Sequence, residues 1–150
     1  MKKVLFVCRA NICRSPVLES ALRHLAKETL LVDSCGLGWF HLGEHPDPRA
    51  FEAAKKRGIL VDTRAKQFQE SFLDEYDLIL AVDSDVLEQL KWHAKTDVEK
   101  AKIRLATDYS TKYKGKPIGD PYYMGKDGFD TMVDMALDVA DGIFRSLKRQ

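Results

Sequence analysis

Two short, unbroken apolar runs constrain this chain more than any other feature. Val4-Leu5-Phe6-Val7 and, after Asp77, Leu78-Ile79-Leu80-Ala81-Val82 show no polar alternation and are too short for core helices. Such runs belong to strands buried on both faces, as in a parallel sheet flanked by helices. Helical spacing fills much of the rest. Ser15-Pro16 reads as a helix start, with Ser as the cap, Pro at the first helical position and Glu19 reinforcing the first turn. Leu18, Ala21, Leu22 and Leu25 form its apolar stripe. A short strand is expected around Leu30 to Val32, followed by a loop from Asp33 to Pro48 and a helix from Arg49 to Arg57 closed by Gly58. Ser84-Asp85 caps another helix through Leu90, and Ile103 to Leu105 reads as a fourth strand. A long helix from about Phe129 carries Met132, Val133, Ala136, Leu137, Ala140, Ile143, Phe144 and Leu147 on its core side.

This alternation predicts an α/β fold: a four-stranded, mostly parallel sheet with helices on both faces. The 150 residues are expected to form one domain, 1–150. Ligands of such folds gather at the carboxyl ends of the strands. The first strand ends at Cys8.

From Cys8 the chain reads Arg9-Ala10-Asn11-Ile12-Cys13-Arg14-Ser15-Pro16, a tight loop leading into a helix. A turn this short can aim successive backbone N–H groups inward, and the helix N-terminus adds partial positive charge. The guanidinium of Arg14 can close the ring with a planar fork matched to two phosphate oxygens. Cys8 then stands in a positive field that favours a thiolate nucleophile, and the Ser15 hydroxyl can donate to it. The resulting expectation is a phosphate-binding loop between the first strand and the first helix. The bland alternatives are a buried strand cysteine beside a surface arginine, or a zinc site using the three cysteines and a histidine. The joint arrival of thiol, Arg and Ser-Pro helix start opposes the first, and an Arg inside the ligand loop opposes the second.

Lys plus Arg number 24 and Asp plus Glu 23, giving a net charge of +1, so no broad positive field supports nucleic-acid or polybasic membrane binding. Any anion must be met by a local site. No apolar run is long enough to span a bilayer. The N-terminal run stops at Cys8 and Arg9 with no small-residue cleavage site, so it reads as a strand and not a signal peptide. Three cysteines (Cys8, Cys13, Cys35) do not make a disulfide framework and fit a reducing cytoplasm. The four histidines, His24, His41, His45 and His93, make no helical metal pair and read as surface or loop residues.

With Cys8, five intervening residues, then Arg14-Ser15 after an N-terminal strand, the chain resembles the low-molecular-weight protein tyrosine phosphatase family along its whole length. Asp33-Ser34 resembles that family's Asp-Ser pair after the second strand, and Asp120-Pro121-Tyr122-Tyr123 resembles its general-acid loop. The resemblance implies two-step hydrolysis through a phosphocysteine, with no metal or cofactor. Cys8 attacks phosphorus, Arg14 and the loop amides hold the oxygens, and Asp120 protonates the leaving oxygen before activating water. On residue chemistry alone Gly-Asp-Pro-Tyr would be a turn. Arg9, Ala10, Asn11, Ile12, Cys13, Ser15 and Ser34 are the expected loop and its support. Asn11 is suited to a left-handed conformation, and Ser34 is placed to bond Asn11 and Ser15. Phe40 or the adjacent Trp39, with Tyr122 and Tyr123, are candidate walls of a slot for a flat ring. The implied partners are phosphotyrosine proteins, a bacterial tyrosine kinase among them, and the protein is expected to be a monomer or weak homodimer.

Two departures stand out. The family usually has Gly where this chain has Ala10, and often a His supporting the loop where this chain has Thr63, which can still hydrogen-bond but carries no charge. Arg9, at a variable position, is expected to favour acidic phosphopeptides. Cys13 is placed to form a protective disulfide with Cys8 under oxidant. Among rivals, a thiol-dependent arsenate reductase would need further cysteines, but Ala81-Val82-Asp83-Ser84-Asp85 holds none. A protein-arginine phosphatase is closer; those relatives tend to have Thr at the position of Ile12. A phosphocysteine carrier would have to exclude water, which Asp120 opposes, and a mere binding module would not need nucleophile, Arg and acid together.

Overall fold

The computed structural model describes residues 1–38, 41–121 and 127–148. Four strands, β1 (Lys3–Cys8), β2 (Leu31–Gly36), β3 (Leu78–Ala81) and β4 (Ile103–Leu105), form one sheet in the order β2-β1-β3-β4. Every pairing is parallel. The helices are α1 (Arg14–Ala26), α2 (Pro48–Lys55), α3 (Phe72–Glu75), α4 (Ser84–His93), α5 (Asp97–Lys102) and α6 (Gly128–Lys148). The α/β reading holds, with the sheet wholly parallel. In β1, Val4 through Cys8 are all buried, so both faces of the central strand are covered.

Helices α1, α2 and α6 pack on one another, while α4 packs on β3 and β4. Along α6, Met132, Val133, Ala136, Ala140 and Ile143 are buried as the periodicity predicts. Met135 and Val139 are buried as well, whereas Leu137, Phe144 and Leu147 are only partly covered. Gly142 lies against the 3-10 turn at 106–109: a Cβ there would fall 1.7 Å from the Tyr109 carbonyl oxygen, so no side chain fits. The Asp138 carboxylate of α6 accepts bonds from the Ser110 hydroxyl and from Thr111 N and Lys112 N, both at 3.0 Å. Those bonds, the Ser110 hydroxyl foremost, hold its pKa below the usual carboxylate range. They anchor the start of the segment leading to Asp120.

The structure differs from the sequence expectation at several boundaries. The second strand runs on to Gly36, because Asp33 and Ser34 pair with Leu5 and Phe6 of β1 although both are polar. Their side chains find partners: Asp33 accepts from the Tyr76 hydroxyl at 2.8 Å, and Ser34 joins the site network described below. Helix α1 begins at Arg14, so Ser15 sits inside its first turn and is not the cap. Leu25, counted in the stripe of α1, is 37% exposed. Helix α4 is capped by Asp83, whose carboxylate accepts from Val86 N at 2.9 Å, and not by Ser84 or Asp85. Helices α3 and α5 are additions. No residue of α5 is buried, so it has no apolar stripe to reveal it. Its cap is nonetheless legible as Thr96-x-x-Glu99: Thr96 Oγ1 accepts from Glu99 N, and Glu99 accepts from Lys95 N.

Candidate active site

The loop between β1 and α1 is held from outside by its carbonyls. Leu37 N donates to Cys8 O at 2.9 Å, Gly38 N to Arg9 O at 2.8 Å, and Asp47 N to Ile12 O at 2.8 Å. In a trans peptide the C=O and the following N–H point opposite ways. Fixing those carbonyls outward therefore turns the N–H groups of Arg9, Ala10 and Cys13 toward the inside of the loop. Gly36 makes the close approach possible: a Cβ there would lie 2.8 Å from Arg9 O and 2.9 Å from the Ala10 carbonyl carbon. Asn11 takes the left-handed conformation expected of it, with φ of 59°.

Around Cys8 the hydrogen-bond directions follow from one another. Lys66 N donates to Asn11 Oδ1 at 2.9 Å, which leaves both Nδ2 protons to be given away. They go to Ser15 Oγ at 2.8 Å and Ser34 Oγ at 2.9 Å. Each hydroxyl, having accepted, passes its own proton onward. Ser15 Oγ lies 2.9 Å from Cys8 Sγ, nearer than its other acceptor, Cys35 O, at 3.5 Å. Ser34 donates to Glu19 Oε1 at 2.5 Å. Asn11 N also donates to Cys8 Sγ, at 3.1 Å. Two donors thus converge on the sulfur, an arrangement that stabilises a thiolate. Ser34 reaches Asn11 as anticipated but meets Ser15 only through it.

Arg14 is buried. Its Nη1 donates to Asp83 Oδ2 at 2.7 Å and to Ile118 O at 3.0 Å. That anchors one edge of the fork and leaves the other for an anion in the cavity. Ile118 N in turn bonds Val82 O at 2.8 Å, so the segment preceding Asp120 is tied both to the end of β3 and to Arg14. The cavity itself, of about 190 Å³, is bounded by Cys8, Arg9, Ala10, Ile12, Cys13 and Arg14, with Asp120 and His41 closing it from other segments. Cys8, Cys13 and Cys35 are all free thiols, and burial pushes the Cys35 thiol far above the ordinary range. Trp39, Phe40, Tyr122 and Tyr123, the expected slot residues, lie outside the described residues.

The match to known proteins follows this geometry. Residues 3–150 match the family model described as low molecular weight phosphotyrosine protein phosphatase. The chain belongs to that family. It is 36% identical to the low molecular weight phosphotyrosine protein phosphatase of Schizosaccharomyces pombe, over 97% of this chain and 96% of that one. A protein tyrosine phosphatase from Entamoeba histolytica superposes with a TM-score of 0.93 at 31% identity, covering 99% and 98% of the two chains. A Drosophila arginine phosphatase superposes with a TM-score of 0.87 at 29% identity, covering 99% and 98%. The family thus bears out the reading of this chain as a hydrolase acting on phosphoproteins.

Within this family member, Glu19 does not reinforce the first turn as expected, because α1 begins at Arg14 and places it a turn further on. It is buried, bonded to Ser34, and paired with Arg23 Nη1 at 2.7 Å. Thr63, the residue expected to support the loop, has a buried hydroxyl with no partner among the described residues. The network runs from Ser34 through Glu19 to Arg23, and Thr63 is not part of it. The signal was present as Ser15, Glu19 and Arg23 at intervals of four, one face of α1. Burial pushes the Glu19 carboxyl above its ordinary pKa, with Ser34 and Arg23 pulling it back. A raised folded pKa means the group favours folding most at acid pH, and that contribution is lost as pH rises through the folded value.

Glu19→Leu is expected to strand the Ser34 proton, at a cost of about 1–3 kcal/mol. In a chain of this size that is a fall in Tm of roughly 3–10 °C. Glu19→Gln keeps an acceptor, so it should hold Tm near wild type and flatten the pH dependence. Thermal unfolding of both variants across pH measures this, and equal losses in the two would show that the acceptor is not what matters.

Proposed function

We propose that the protein hydrolyses phosphotyrosine in proteins, and small aryl phosphates, through a phosphocysteine on Cys8. The observation that carries this is the convergence of Asn11 N–H and the Ser15 hydroxyl on Cys8 Sγ, in a cavity that also holds Arg14 and Asp120. In the first step a Cys8 lone pair forms the S–P bond as the P–O bond to the aryl group breaks, and Asp120 gives its proton to the departing oxygen. In the second, Asp120 takes a proton from water as water oxygen bonds to phosphorus. The S–P bond then breaks and its electrons return to sulfur, where the Ser15 hydroxyl meets the negative charge. Arg14 and the inward N–H groups hold the equatorial oxygens throughout. None of these steps calls on a metal.

Phosphotyrosine proteins are the substrates in this proposal, a bacterial tyrosine kinase among them, and the site of action is the cytoplasm, where three free thiols are at home. Among the described residues no helix is long and apolar enough to cross a membrane. Arginine phosphatase activity is the second reading, favoured by the Drosophila structure. Against it, Ile12 lines the cavity, and its branched apolar bulk suits an aromatic ring better than a guanidinium group. The deciding experiment compares metal-free turnover of an aryl phosphate, a phosphotyrosine peptide and phosphoarginine. Turnover of the first two supports the proposal, and turnover of phosphoarginine alone replaces it with the second reading.

A further inference from the structure

One wall of the catalytic cavity is a side chain that the two-step chemistry does not use. His41 bounds the cavity together with Cys8, Arg9 and Asp120, although a histidine in a loop reads from sequence as mere surface. Its Nδ1 is paired with the Glu44 carboxylate, and Glu44 N donates to His41 O at 2.9 Å, closing a tight turn. That turn is latched to the neighbouring segment. Gly43 N donates to Ala65 O at 2.7 Å, Ala65 N to Glu44 O at 2.9 Å, and Arg64 Nη1 to Gly43 O at 3.3 Å. The imidazole is therefore a placed group. With Nδ1 committed, Nε2 is the ring nitrogen left over among the described residues.

The charges around the cavity are unevenly shared. Arg14 is drawn inward by Asp83 and serves the phosphate, while Arg9 is exposed and bounds the same cavity. Of the carboxylates nearby among the described residues, Asp83 is paired with Arg14, Asp120 is assigned to proton transfer and Glu44 is engaged with His41. Among the described residues the outer rim is thus left with Arg9 and His41 to face a peptide that carries the phosphate. The chain as a whole has a net charge of only +1, so this bias is local to the site.

We propose that His41, held by Glu44, is a specificity residue that donates Nε2–H to the carboxylate of an acidic residue flanking the phosphotyrosine, alongside Arg9. Each ring nitrogen then faces a carboxylate, Nδ1 that of Glu44 and Nε2 that of the substrate. This rests on the phosphotyrosine reading and names the substrate class within it: peptides with Asp or Glu beside the phosphorylated tyrosine.

The test uses two phosphotyrosine peptides, identical except for Glu or Ala at the flanking positions, and takes the ratio of their kcat/KM values. Wild type is expected to prefer the acidic peptide. His41→Ala should lower that preference about two- to fivefold, the range of a partly exposed charge pair. The loss should appear in KM with kcat unchanged, since the contact is the same in ground and transition states. His41→Arg should restore the preference, and Arg9→Ala combined with His41→Ala should abolish it. An unchanged ratio in His41→Ala overturns the proposal. So does an equal fall for both peptides, which would mean that the residue only shapes the turn. A small aryl phosphate, which has no flanking residues, separates the two levels of inference. If wild type hydrolyses it without preferring acidic peptides, the specificity role alone fails; if it does not hydrolyse it, the phosphatase reading fails.

Discussion

Cys8→Ser is expected to bring aryl phosphate hydrolysis down to the uncatalysed background while the chain still folds. The reason lies in what surrounds the sulfur. Asn11 N–H and the Ser15 hydroxyl both act there as donors, and Ser15 is already committed as an acceptor from Asn11. Two donors stabilise an anion that forms readily on sulfur. Neither can remove a proton from a serine hydroxyl, which needs a general base to become a nucleophile. The isosteric replacement preserves the packing of β1 and the loop, so binding of inorganic phosphate should survive with little change in Tm. A stopped assay and a phosphate titration on the same preparation check both halves. Turnover near the wild-type rate would show that another residue attacks phosphorus.

The legibility of the fold and of the site depended on how local each feature is. Cys8, Arg14 and Ser15 were readable from the residues alone, because strand, loop and helix start are contiguous and each part has a recognisable chemistry. Ile103 to Leu105 was readable as a strand for the same reason, although Leu31–Gly36 was cut short at its polar residues. Asp33 and Ser34 look like loop residues until their partners, Tyr76 and Glu19, are known. Asp120 came only through family resemblance. The segment just before it is held by the bonds from Arg14 Nη1 to Ile118 O and from Ile118 N to Val82 O, and no local pattern encodes contacts across that separation. Glu19 was misread as a helix-end charge, since a carboxylate near a helix start usually serves the helix dipole. His41 escaped for a different reason: loops have no periodicity, so nothing in a row of residues says which side chain turns inward.

The dependence on Asp120 should show itself most clearly in the choice of leaving group. On the proposed mechanism Asp120→Asn removes a proton donor from the first step and a proton acceptor from the second, with an expected cost of about 10²- to 10⁴-fold in kcat for phosphotyrosine. The amide is isosteric, and the segment remains anchored through Ile118. A nitrophenolate leaves without protonation, and for that substrate the first step should be nearly unimpaired. The second step still lacks its base. Phosphocysteine should then accumulate, giving a burst of nitrophenol equal to the enzyme present, followed by slow release of phosphate. Phenyl phosphate, whose leaving group needs the proton, should show no burst. Rapid-mixing measurements on the two substrates distinguish these outcomes, and an equal loss on both without a burst would take Asp120 out of proton transfer altogether.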